Sequence, residues 1–193
     1  MKRALSLILA SVLLIFCLSS CTEEKNELPN KVIIDVKDYG KITVELYPDI
    51  APITVENFKK LVSEGFYDGL IFHRVIESFM IQGGCPEGTG LGGNTDANGN
   101  RINIKGEFAI NGVKNNLKHT RGVISMARSQ LLNSASSQFF ICHQDAPHLD
   151  GKYAAFGKVT DGMDVVDAIA VVKTNGSNKP LEDVVINSIT FAE

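Results

Sequence analysis

Tryptophan is absent, and aromatic residues make up only 7% of the chain against 17 glycines. That balance disfavours long regular elements and points to a β-rich fold with short strands, many turns and close backbone approaches. No cluster of lysine and arginine stands out; 19 basic residues face 22 acidic ones, for a net charge of −3. The electrostatic footprint of a nucleic-acid binder is therefore missing. Cysteine is scarce as well: four in all, of which only Cys85 and Cys142 lie beyond the N-terminal region, too few for a disulfide framework. An export signal permits a bridge between those two, while the apolar run Phe139-Phe140-Ile141-Cys142 fits a buried thiol. No repeat of fixed period occurs. What remains is 193 residues, 44% hydrophobic and 21% charged, enough for one globular domain and too short for several enzymatic ones.

Residues 1–20 read as an address. Lys2 and Arg3 precede an apolar run from Ala4 to Phe16, and Ser19 and Ser20 end it before the roughly 20 residues a spanning helix needs. Leu18-Ser19-Ser20-Cys21 resembles a bacterial lipobox, which implies cleavage before Cys21 and lipidation of its thiol. Loss of Lys2 and Arg3 leaves a more acidic mature chain. Residues 21–30 are polar and proline-punctuated, a tether that spans about 30 Å when extended. Residues 31–193 form the domain, expected at a lipid-anchored position in a bacterial cell envelope, periplasmic or surface-facing.

Eight strand-like segments follow. Lys31 to Val36 and Lys41 to Leu46 flank a short turn ending in Gly40 and form a hairpin. The others are Ile71 to Ile76, Phe79 to Gln82, Gly122 to Ala127, Gln138 to Cys142, Ala154 to Thr160 and Val184 to Phe191. Two stretches carry a helical period. Thr54 can cap a run with Val55, Phe58, Leu61 and Val62 on one face and Gly65 at its end; Asp161 precedes Met163, Val166, Ile169 and Ala170. The strands lie too close together for helical crossovers, which favours antiparallel pairing and a closed barrel. The stretch from Gly83 to Lys118 has no sustained period, and long loops in compact domains are usually functional.

Several chemistries fail on spacing. Gly88-Thr89-Gly90-Leu91-Gly92-Gly93 satisfies G-x-G-x-x-G, but a polar loop follows instead of a helix, and Glu107 ends no second βα unit. The histidines, His73, His119, His143 and His148, include no i, i+4 pair on a helix, so no metal site is expected. His148 and Asp150 with Ser134, Ser136 or Ser137 could compose a hydrolase triad only by spatial accident, since no G-x-S-x-G elbow exists.

One segment is unusual in kind: Phe72-His73-Arg74-Val75-Ile76-Glu77-Ser78-Phe79-Met80-Ile81-Gln82-Gly83-Gly84. A strand there would put Arg74 and Ile76 on one face, and a bend at Glu77-Ser78 would re-aim Phe79, Met80 and Gln82. Together, FHRVIESFMIQGG, LKHTRGVISMARS, NSASSQFFI and HLDGKYAAFGKV resemble the cyclophilin family of peptidyl-prolyl cis-trans isomerases, in order, over roughly Lys31 to Phe191.

The resemblance implies a mainly β fold: a closed eight-stranded antiparallel β-barrel capped by two α-helices. It implies Arg74, Gln82 and Phe79 as the catalytic group, and a proline pocket of Phe79, Met80, Phe140 and Leu149. Gln82 and Gln138, with the backbone around Ala127 and Arg128, would hold the flanking peptide, Gly90 would edge the groove, and His148 and Tyr153 would stand at the rim. No cofactor is implied, and the expected partners are proline-containing peptides and unfolded exported proteins, met by a monomer. His148 stands where many eukaryotic members have Trp, which weakens the expected binding of cyclosporin. Glu77 and Ser78 replace the usual Pro-Gly. The alternative is a non-catalytic proline-peptide-binding module or chaperone, which could keep the apolar wall and lose Arg74; here both are present.

Overall fold

The computed structural model describes residues 28–192, so the expected signal segment, Cys21 and most of the expected tether lie outside the described residues. The hairpin forms as its alternation dictates. β1 (Lys31–Val36) and β2 (Gly40–Leu46) pair antiparallel, burying Val32, Ile34 and Val36 beside Ile42, Val44 and Leu46. The remaining strands are β3 (Arg74–Ile76), β4 (Met80–Gly83), β5 (Val123–Met126), β6 (Phe139–Cys142), β7 (Ala155–Asp161) and β8 (Ile186–Phe191). All eight expected segments thus carry a strand, and they join one antiparallel sheet in the order β3-β4-β6-β5-β7-β2-β1-β8.

The expected closed barrel is corrected to an open sheet. β3 and β8 stand at its two edges and do not pair as strands. β3 is only three residues long, beginning at Arg74. The segment before it, expected to be strand, meets β8's approach through the single bridge Ile71–Val185 and backbone bonds from Phe72 to Val184 and between Leu70 and Ile186. The gap is laced by irregular backbone rather than by a ladder.

Two helices pack on the core. α1 (Pro52–Ser63) buries Val55, Phe58, Leu61 and Val62, and α2 (Met163–Ala170) buries Val165, Val166, Ile169 and Ala170. Phe58 touches the rings of Tyr67, Phe139 and Phe156 at centroid distances of 5.2–5.6 Å. Each such buried side chain contributes about 1.5–3 kcal/mol. Gly65 ends α1 as expected: at φ +64 it donates to Val62, and Phe66 donates to Leu61, the two bonds of a left-handed helix stop.

The start of α1 differs from expectation. Thr54 is not the cap; it lies within the first turn, after Ala51 and Pro52. The cap comes from the long loop. The buried Glu107 carboxylate accepts the Ile53 and Thr54 backbone N–H groups at 3.1 and 2.8 Å and the Thr54 hydroxyl at 2.7 Å. A carboxylate at a helix N-terminus also meets the positive end of the backbone dipole. Asn115 fixes the same loop to β7 by donating to the carbonyls of Glu107 and Ala155.

Candidate active site

Strand register builds the site. Along β4 and β6 alternate residues face opposite sides: Ile81, Phe139 and Ile141 enter the main core, whereas Met80, Phe140 and Cys142 join a separate apolar cluster. Ala146 and Leu149 complete that cluster, with Ile76, Phe79, Ala127 and Tyr153 packed against it. Gln82 lies directly opposite Arg74 on β3 and Phe140 on β6. One guanidinium and one amide therefore stand at the lip of an apolar pocket.

The polar contacts run in a chain. Arg74 Nη1 donates to Gln82 Oε1 at 3.3 Å and lies 4.0 Å from the Met80 sulfur, with Cζ 6.0 Å from the Phe79 ring centre. Gln82 Nε2 donates to Gln138 Oε1 at 2.9 Å, and Gln138 Nε2 donates onward to the carbonyls of Gly90 and Gly92. This fixes each amide's orientation and aims Arg74 along the pocket edge. Gly90 adopts φ +82, and a side chain there would lie 3.3 Å from the His73 ring.

The glycine-rich loop has a support that sequence reasoning missed. Cys85 is a free, buried thiol whose sulfur accepts the N–H groups of Gly90 at 3.2 Å and Gly92 at 3.3 Å. Cys142 is also free; burial, then the charges of Asp145 and Asp150, push its thiol pKa up to about 12. No bridge joins them.

His148 and Tyr153 pack on the aromatic residues of the pocket. The His148 ring lies 5.4 Å from Phe79, and Tyr153 meets Phe140 edge-on at 6.0 Å. Arg128, whose backbone rather than side chain is the part the resemblance assigns to the peptide, turns its side chain to the pocket wall. Its guanidinium lies between the rings of Phe108 and Tyr153 and donates to the Lys152 and Ser129 carbonyls, bracing the pocket wall. Beside it a cavity of ≈ 420 Å³ is lined by Gln82, Gly90, Ala127, Arg128 and Gln138, together with Arg101 from the long loop.

The histidine bonded to Asp150 is His119, not His148. Its Nδ1 lies 3.1 Å from Asp150 Oδ1, its Nε2 lies 3.0 Å from the Ser125 hydroxyl, and its ring stacks on Phe140 at 6.1 Å. The set copies a hydrolase triad in connectivity alone, since Ser125 has no exposed surface on which to meet a substrate. Burial lowers the His119 pKa despite the opposing pull of Asp150. The neutral ring is a wedge behind Phe140.

Ser78 occupies the bend that precedes Phe79. At φ 62 it adopts a conformation that favours glycine, and its N–H donates to His143 Nδ1 at 2.9 Å. The other ring nitrogen of His143 reaches Asp167, which also holds Arg121 through two 2.7 Å bonds. The contact of Ser78 with His143 holds the bend before Phe79. Among the described residues, no three His, Cys, Asp or Glu side chains are disposed to hold a metal ion.

An arginine, two linked amides and an apolar slot stand side by side on one face of the antiparallel sheet. The sequence model of the family "Cyclophilin type peptidyl-prolyl cis-trans isomerase/CLD" matches residues 31–191, and the chain belongs to that family. It is 44% identical over 144 residues to the peptidyl-prolyl cis-trans isomerase ppi1 of Schizosaccharomyces pombe, covering 74% of this chain and 87% of that one. Against the peptidyl-prolyl cis-trans isomerase CYP18-1 of Arabidopsis thaliana, identity is 43% over 153 residues, covering 79% and 90%. A cyclophilin-type isomerase of Cryptosporidium parvum, crystallised in the presence of the dipeptide Ala-Pro, superposes with a TM-score of 0.75 at 34% identity, covering 84% of this chain and 99% of that one. The protein is a cyclophilin-type peptidyl-prolyl cis-trans isomerase.

Proposed function

We propose that this isomerase acts on exported chains, held at a membrane of the bacterial cell envelope by lipid on Cys21, and that Arg74 is its principal catalytic group. The observation that carries the catalytic part is the Arg74 guanidinium held by Gln82 at 3.3 Å beside Phe79 and Met80. Rotation about an X-Pro bond faces about 18–20 kcal/mol because the C–N bond has double-bond character. No bond breaks. The catalyst must weaken amide resonance, which calls for a donor to the prolyl nitrogen as it pyramidalises. Arg74 supplies that donor without any change of protonation.

Phe79, Met80, Phe140 and Leu149 take the pyrrolidine ring and exclude water that would stabilise the planar amide. Gln82 steers Arg74, while Gly90, Ala127 and Gln138 border the path of the flanking backbone. An acceleration of about 10⁵ requires about 7 kcal/mol. One charge-assisted hydrogen bond contributes about 1.5–3 kcal/mol, so preorganisation of the pocket carries the larger part.

The anchoring half rests on the lipobox-like Leu18-Ser19-Ser20-Cys21 and the polar tether after it. Replacing Cys21→Ser is expected to give an unprocessed or soluble exported form that still folds. Membrane fractionation and intact mass are the readouts. Equal membrane retention of both forms, with no added acyl mass on the wild type, would contradict the lipid anchor.

A further inference from the structure

Adjoining the Arg128 cavity is a second cavity of ≈ 470 Å³, lined by His73, Arg74, Gln82, Gly90, Asn175 and Lys179 among others. Its lining shares Gln82, Gly90 and Leu91 with the first, so the two cavities meet at Gln82. Two cations line it, Arg74 and Lys179, and no carboxylate does. This is a local reversal in a chain of net charge −3. Asp183 touches Lys179 at 3.7 Å outside the lining, in an exposed and easily exchanged pair. Glu87 lies beyond Gly88 with its carboxylate 3.4 Å from the Cys85 sulfur.

His73 adds a polar group to the same wall. It is only 5% exposed, lines the cavity, and neither ring nitrogen makes a well-formed hydrogen bond, although Gln138 and the Ile71 backbone both act on the ring. Burial first, then the charge of Arg74, push its pKa down to about 4 against the opposing pull of Gln138 and Ile71, so the ring is neutral and offers one N–H donor. A carboxylate entering the cavity meets both cations and can accept from that donor.

We propose that this cavity is a subsite for an acidic side chain of the peptide substrate, carried on a residue flanking the proline. The inference rests on the isomerase reading and adds a charge preference to it. Thr89 and Ser177 supply further hydroxyl groups at the same wall. Lys179 sets the preference without standing at the proline, so it is a specificity residue rather than a catalytic one.

The test measures kcat/KM of the full chain, held in detergent, on peptides with Ala, Glu or Lys at each of the two positions before and after one proline. At one position the Glu peptide is expected to exceed the Lys peptide by about fivefold at low ionic strength, with the ratio shrinking in high salt. Lys179→Glu is expected to invert that ratio. Equal rates for Glu and Lys peptides at every position, or a ratio unchanged in Lys179→Glu, would overturn the subsite. Failure to accelerate the Ala peptide would remove the isomerase reading and the subsite with it, whereas turnover without charge preference removes the subsite alone.

Discussion

Substituting Arg74→Ala is expected to lower kcat/KM on a neutral proline peptide by about 10- to 100-fold, the loss of one charge-assisted hydrogen bond made to the twisted amide. Folding should survive. Arg74 is half-buried, and its partners, Gln82 and Met80, belong to the site rather than to the main core. Arg74→Lys should recover part of the rate, since an ammonium donates but lacks the planar fork that Gln82 aligns. Thermal melting of the variants beside their kinetics separates the two effects. A near-wild-type rate in Arg74→Ala would remove the guanidinium from the mechanism and favour a peptide-binding module that happens to keep the pocket.

The largest effect on stability is expected at Glu107, far from the proline pocket in function. Glu107→Ala strips the start of α1 of its cap and leaves the N–H groups of Ile53 and Thr54 and the Thr54 hydroxyl without their acceptor. A lost cap and buried unsatisfied donors together cost about 2–4 kcal/mol. For a domain of this size the melting midpoint should fall by about 5–10 °C. Glu107→Gln retains one acceptor oxygen and should fall between. A midpoint within a degree or two of wild type in Glu107→Ala would show that water replaces the carboxylate and that the cap is dispensable.

Alternation made the sheet legible. KVIIDV and KITVEL announce one buried face each, and the same period sorts Met80 and Gln82 from Ile81 once β4 is recognised. Gly65 was legible because a left-handed stop leaves few choices of residue. The cap of α1 was not, because local spacing nominates Thr54 while the acceptor lies 53 residues away in a loop without period. Chain proximity also nominated His148 for Asp150, yet the backbone brings His119, 31 residues distant, onto that carboxylate.

The long loop illustrates both limits. Its length and glycine content signalled function, and Gly90, Leu91, Gly92, Arg101 and Asn103 do line the groove cavity. What holds it there, besides the Gln138 amide, is a thiol bonded to backbone amides, an arrangement that leaves no mark on sequence beyond a cysteine five residues before a glycine. Closure of the barrel failed as an expectation for a related reason. Ile71, Phe72 and His73 read as strand by composition, but the backbone partners of Ile71 and Phe72 belong to irregular chain beside β8.

The account's central claim is that proline rotation is driven by a donor that never changes protonation, and kcat against pH tests it most directly. With a neutral proline peptide, kcat should be flat between about pH 6 and 9, because a guanidinium stays protonated and an amide does not titrate. His148, beside Phe79 at 5.4 Å, is the group best placed to break that flatness. A steep inflection near the ordinary histidine value of about 6.5 that disappears in His148→Gln would contradict the arginine-centred mechanism and place the imidazole in the chemical step.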